Sequence, residues 1–142
     1  MILVDTNVVS EPMKLSGDGR VVAWLNAQAV ETLFISAVSV SERLLGVEAM
    51  PTGPRREALA RLVSEAIANQ FGDRILPFDF AAARLYATIV AAARRKGFSI
   101  SVSDGQIAAT AAAHGLSVAT RDGAPFRAAG LEVIDPWTEG AA

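Results

Sequence analysis

Cysteine is absent from this chain of 142 residues, and histidine occurs once, at His114. The first absence excludes a disulfide scaffold, thiolate catalysis and every cysteine-bound metal. The second excludes a histidine-rich zinc or iron centre within one chain. Lysine is scarce too: Lys14 and Lys96 are the only two among 13 bases, so eleven are arginine. No apolar run approaches the ~18 residues of a membrane span. The opening MILVDT has no basic region and meets Asp5 after four residues, so it does not read as a signal peptide. Neither G-x-S-x-G, G-x-x-x-x-G-K-[ST] nor G-x-G-x-x-G occurs, which argues against a hydrolase elbow, a phosphate loop and a dinucleotide fingerprint. A cytoplasmic protein without membrane attachment is the expectation.

What is present is a globular composition, 51% hydrophobic and 20% charged, far from that of a disordered chain. The length suits a single domain over residues 1–142, able to bury about 68–70% of its unfolded surface. Ile2 to Val4 is wholly apolar and β-branched at both ends, and reads as a buried parallel strand. Residues 33–36, 75–78, 118–120 and 132–134 read as four more. Helices are expected over 7–14, limited by Pro12, around Val21, Val22, Trp24 and Leu25, and over 38–50, ended by Pro51. A longer one runs from Pro54 to Phe71, with Leu59, Leu62, Val63, Ala66 and Ile67 on the 3.6-residue period and Gly72 as its stop. Asp79 caps the next, whose apolar face is Ala82, Leu85, Ile89 and Ala93 and which ends at Gly97. An alanine-rich helix spans 104–114, and a brief turn of helix lies near Pro125. This alternation predicts an α/β fold, a central parallel sheet of about five short strands flanked by helices. Ligands of such sheets bind beyond the carboxyl ends of the strands, at a topological switch point.

Four acids fall near those ends: Asp5 after the first strand, Glu42 after the second, Asp104 at a helix start and Asp122 after the fourth. Two carboxylates ~4 Å apart repel by about 4 kcal/mol at an effective dielectric near 20. A cluster of them requires protonation or a cation, and oxygen ligands without His or Cys suit Mg²⁺ or Mn²⁺. Each acid also has a structural reading. Asp5 suits a helix N-cap; Ser39-x-x-Glu42 and the Ser103–Gln106 stretch read as capping boxes; Asp122-Gly123 suits a turn. Arginines cluster at Arg55, Arg56 and Arg61, and Arg94, Arg95 and Lys96 close a helix. A solvated face and phosphate contacts both remain open for them. His114 reads as a helix-end residue, and Trp24 and Trp137 as packing residues. A mean hydropathy of +0.33 points to apolar surface reserved for protein contact.

MILVDTNVVSE (1–11), FISAVSVSERLLG (34–46), LPFDFAAARLYA (76–87), ISVSDGQIAATAAAHGLSVATRD (100–122) and GLEVIDPW (130–137) together resemble the PIN-domain ribonucleases, specifically VapC-type toxins of bacterial toxin–antitoxin pairs, near the FitB-like branch. The resemblance implies a three-layer PIN sandwich and Mg²⁺- or Mn²⁺-dependent cleavage of RNA, leaving a 5′-phosphate. It implies Asp5 and Asp104 as direct metal ligands and Glu42 as the third acid, with Thr6 and Asn7 supporting Asp5 and Thr120 lining the site. The family's T-R-N-x-x-D-F stretch reads Thr120-Arg121-Asp122-Gly123-Ala124-Pro125-Phe126 here. Asp122 thus holds the usual Asn position and Pro125 that of a fourth acid, and Asp122 is the candidate replacement. Implied partners are an RNA substrate, a cognate antitoxin and a second copy of the chain, joined through the helices at 38–50 and 54–71. The competing reading is a weakly active or inactive module that works chiefly as a regulatory complex with a DNA-binding antitoxin.

Overall fold

The computed structural model describes residues 1–139. Five parallel strands, β1 (Ile2–Val4), β2 (Leu33–Ser36), β3 (Ile75–Leu76), β4 (Ser117–Ala119) and β5 (Val133–Ile134), make one sheet in the order β3-β2-β1-β4-β5. The chain builds outward from β1 to β3 on one side, then returns to place β4 and β5 on the other. The order therefore reverses between β1 and β4, and the switch point lies beyond their carboxyl ends.

The helices are α1 (Thr6–Ser10), α2 (Gly19–Ala27), α3 (Ala37–Glu48), α4 (Pro54–Phe71), α5 (Phe80–Arg95), α6 (Val102–Ala113), α7 (Ala124–Ala128) and α8 (Pro136–Glu139). Successive strand residues face opposite sides of a sheet, and β1 and β4 are apolar on both. Val4 and Ala119 join Val8, Val21, Val63, Ile67, Phe71 and Trp137 in one core. Leu3 and Val118 join Ile107, Ala108, Ala111 and Phe126 in the other. Two helical layers sandwich the sheet, as the expected three-layer architecture requires.

Several local expectations are corrected. The helix expected over 7–14 ends at Ser10, and Glu11–Met13 tightens into a 3₁₀ turn, because Pro12 lacks the N–H an α-helix would use. The third strand stops at Leu76, the fourth ends at Ala119 rather than Thr120, and the fifth begins at Val133 rather than Glu132. Leu62 is 62% exposed, so the inner stripe of α4 is the narrower Leu59, Val63, Ile67. Neither proposed capping box forms as read. Ser36 caps α3, its hydroxyl accepting from the Val38 N–H at 3.0 Å; Ser39 is buried inside the first turn. Ser101 caps α6, accepting from the Asp104 N–H at 3.2 Å, so Asp104 is the third residue of that helix and Ser103 lies within it.

Candidate active site

Asp5 is built by both the strand it leaves and the helix it starts. Its N–H continues the sheet ladder, donating to the Ala119 carbonyl at 2.9 Å. Its extended backbone makes it the N-cap of α1, and Oδ1 accepts from the Thr6 N–H at 2.8 Å. Oδ2 accepts from the Thr120 hydroxyl at 3.0 Å. Thr120 is fully buried at the end of β4, and its oxygen also accepts from the Asp122 N–H at 3.2 Å and the Asn7 amide at 3.4 Å. Capping and site-building are therefore compatible in Asp5: the cap holds one oxygen while Thr120 holds the other at the switch point.

The electrostatics run against ionisation here. Burial raises the Asp5 pKa; the bonds from Thr120 and Thr6 oppose the shift, and the charges of Asp104 and Asp122 reinforce it. Glu42 is raised too, first by desolvation and then by the charges of Asp5 and Asp104, against a hydrogen bond with Ser103. With Ser36 as the cap of α3, Glu42 lies in the second turn and has no capping duty.

Asp5, Glu42 and Asp104 line one open pocket of about 330 Å³, with Thr6, Asn7 and Arg43. Asp122 does not join them. It lines a neighbouring cavity of about 460 Å³ that also includes Asp104, and acts on Asp5 through its charge. Among the described residues, no three His, Cys, Asp or Glu side chains are grouped tightly enough to enclose an ion. That donor set fits a hard cation that keeps most of its waters, as Mg²⁺ does when held by one or two carboxylates. Asp5, Glu42 and Asp104 are the carboxylates from which such an ion could draw one or two, and the uncompensated burial of Asp5 is the feature it would relieve.

Residues beyond those singled out in the sequence also belong here. Ser103 bonds Glu42. Arg43 and Gly46 line the pocket, and a Cβ added at Gly46 would meet nothing within 4 Å. An exposed glycine inside a helix, one turn after Glu42 and with no packing reason, was a legible signal of a groove kept open. Gly105 has the opposite reason. An added Cβ would lie 2.7 Å from the Tyr86 ring, so glycine lets α6 pack against α5 and sets the position of Asp104. Trp137 is buried, with the Arg121 guanidinium 5.2 Å over its ring, and Trp24 packs against the same core. At His114 the backbone N–H donates to the last carbonyls of α6, and the residue is exposed.

The chain is similar to proteins with this architecture along nearly its whole length. It is 48% identical over 137 residues to the VapC ribonuclease Y4jK of Sinorhizobium fredii, covering 96% of this chain and 98% of that protein. It is 44% identical to toxin FitB of Neisseria gonorrhoeae over the same length, covering 96% and 99%. The crystal structure of FitAcB from Neisseria gonorrhoeae superposes with a TM-score of 0.91 at 44% identity, covering 97% and 99%. The profile of the PIN domain matches residues 2–131, a span that contains β1 to β4 and all four acids, and the chain belongs to the PIN domain family.

Proposed function

We propose that this chain is the toxin of a toxin–antitoxin pair, an endoribonuclease that hydrolyses phosphodiester bonds of RNA at the Asp5–Glu42–Asp104 pocket. The observation that carries the reading is the meeting of these three acids in one open pocket at the switch point, in a chain nearly half identical to a protein named a ribonuclease.

The chemistry follows from charge. A pocket of carboxylates repels a phosphate, so Asp5 and Asp104 are the residues that would hold Mg²⁺ or Mn²⁺. Bound there, the ion would screen the phosphate from the acids and activate a water. Asp5 is kept in position by the Thr6 N–H and the Thr120 hydroxyl, with Asn7 bracing Thr120. Glu42, raised in pKa beside Ser103, is suited to take a proton from the attacking water at its carboxylate. Arg43 shares the pocket and makes no ion pair among the described residues, which leaves its guanidinium free for a phosphate oxygen. In-line attack would leave a 5′-phosphate.

The chain works as a single domain in the cytoplasm, where its substrate is. No helix among the described residues is long and apolar enough to cross a membrane. Its partners are a cognate antitoxin and a second copy, the latter seated on the outward-facing Leu45 of α3 and Leu62 of α4.

The test is cleavage of single-stranded RNA by purified protein freed of its antitoxin. Cleavage should need Mg²⁺ or Mn²⁺, and Asp104→Asn should lower it by about 100-fold or more while the protein still melts cooperatively. Full activity in excess chelator would remove the metal, and no cleavage in any divalent ion would remove the reading.

A further inference from the structure

We propose that the cavity on the far side of Asp104 is a nucleotide subsite, in which the Phe98 ring stacks on a base beside the scissile bond and the adjoining basic residues hold the flanking phosphates. The subsite rests on the ribonuclease reading and deepens it.

Its position is the first argument. The cavity, about 460 Å³, is lined by Phe98, Ser99, Ser101, Asp104, Asp122 and Pro125, among others. Asp104 also lines the pocket of Asp5 and Glu42. The two spaces therefore share a wall, and a strand with a phosphate in one places a neighbouring nucleotide in the other.

Phe98 itself is the second argument. It sits in the turn joining α5 to α6, where Gly97 adopts a positive φ of 85° and the Phe98 N–H donates to the Ala93 carbonyl at 2.9 Å. The turn pins the backbone, yet the side chain is 52% exposed. Among the described residues its ring pairs with no other aromatic, the one such pair being Phe78–Tyr86. A large apolar ring carried on a hydrogen-bonded turn, half out of the core beside a cavity lined by both apolar and polar side chains, has the form of a stacking platform.

Charge is the third argument. Arg94, Arg95 and Lys96 precede Gly97 and the ring in the sequence and are exposed, and no ion pair among the described residues involves them. Their place in the last turn of α5 suits the helix dipole, but that role leaves their charges unspent. Cations and an aromatic face are the two elements that single-stranded RNA recognition combines, and here they are neighbours in the sequence. Pro125, apolar where a fourth acid was expected, leaves Asp122 as the acid contributed by that stretch of the cavity wall. Asp122 then serves the base rather than the water: its carboxylate accepts from amino groups on a base edge, as carboxylates do from cytosine N4. Adenine, cytosine and guanine carry that group, and uracil does not.

The experiment titrates short single-stranded RNAs, each carrying 2-aminopurine at one position, onto Asp5→Asn protein, with binding rather than turnover as the readout. Fluorescence should be quenched at one position next to the bond that wild-type protein cuts. Phe98→Ala and Phe98→Leu in that background should both abolish the quench and weaken binding about tenfold, and Phe98→Trp should keep both. Arg94→Gln should reduce the salt dependence of binding by about one counterion. Leucine matching phenylalanine would overturn stacking, as would equal quenching at every position. Unchanged RNA binding in Phe98→Ala, with a lost dimer by light scattering, would give the surface to a second copy. In both cases RNA cleavage by wild-type protein leaves the ribonuclease reading standing. A chain that neither binds nor cuts RNA overturns both.

Discussion

Asp5 and Glu11 lie six residues apart, at the two ends of the short helical stretch that follows β1, and the fold treats them in opposite ways. Glu11 is buried, yet its pKa is lowered. The Asp18 N–H donates to its Oε1 at 2.9 Å, and the Lys14 ammonium stands 3.0 Å from Oε2. Residues 14–18 fold over this carboxylate, and Gly17 permits it: a Cβ there would collide with the Glu11 carbonyl. Asp5 also accepts two hydrogen bonds, from a backbone N–H and a hydroxyl, yet its pKa is raised. The number of hydrogen bonds does not separate the two acids. What separates them is the balance of burial against partners. At Asp5 desolvation outweighs the bonds from Thr120 and Thr6, and the charges of Asp104 and Asp122 add to it, whereas at Glu11 the Asp18 N–H and the Lys14 ammonium outweigh desolvation. A structural carboxylate is compensated within the chain, whereas one left uncompensated marks the place for a cation from outside.

The sharpest way to break this contrast is at Gly17. Gly17→Ala forces the loop off Glu11 and should cost about 1–3 kcal/mol of stability, read by denaturant unfolding. The molecules that remain folded should still cut RNA, because the Asp5 pocket is untouched.

Removing the two charges in turn should move stability in opposite directions. The raised pKa of Asp5 means that its contribution is full below the ordinary Asp value of 3.8 and is lost as pH rises through the folded value. In chelator at pH 7, Asp5→Asn should therefore melt higher than wild type, and the gain should fade as pH falls toward 4. Glu11 has the opposite sign: its contribution is present above the ordinary Glu value of 4.5 and is lost as pH falls through the lowered folded value. Glu11→Gln should melt lower at pH 7, with a deficit that shrinks in acid. Shifts of the same sign at pH 7 would dissolve the comparison.

Added Mg²⁺ should sharpen it further, by raising the melting temperature of wild type more than that of Asp5→Asn. The smallest effect belongs to Lys14→Met. Its ammonium is well exposed, and an exposed ion pair is screened and weak. The change should be the least of the set and should diminish in high salt.

Much of the fold was legible where local rules act alone. β1, β2 and α4 begin and end where their apolar runs and their bounding Pro and Gly say. The capping boxes were misread because Ser36 competes with Ser39, and Ser101 with Ser103, on nearly equal local terms. The helix start goes to the serine that the preceding backbone presents in extended conformation. That correction bears on function, since it releases Glu42 from a capping role. Placing the acids near strand ends was also legible, but the division of four acids into a pocket of three and a neighbour was not.

The sequence by itself determined the kinds of element, their alternation and the placing of Asp5 one residue beyond a buried strand. It also determined the absence of cysteine thiolate and the near absence of imidazole, which left oxygen as the ligand chemistry. The tertiary structure alone decided which carboxylate keeps its charge unanswered. The reason is one of range. Periodicity, caps and turns act over a few residues, whereas Thr120 reaches Asp5 across 115 positions only because β4 returns to lie beside β1. That same return sets Asp104 between two cavities and leaves Phe98 standing at the edge of one.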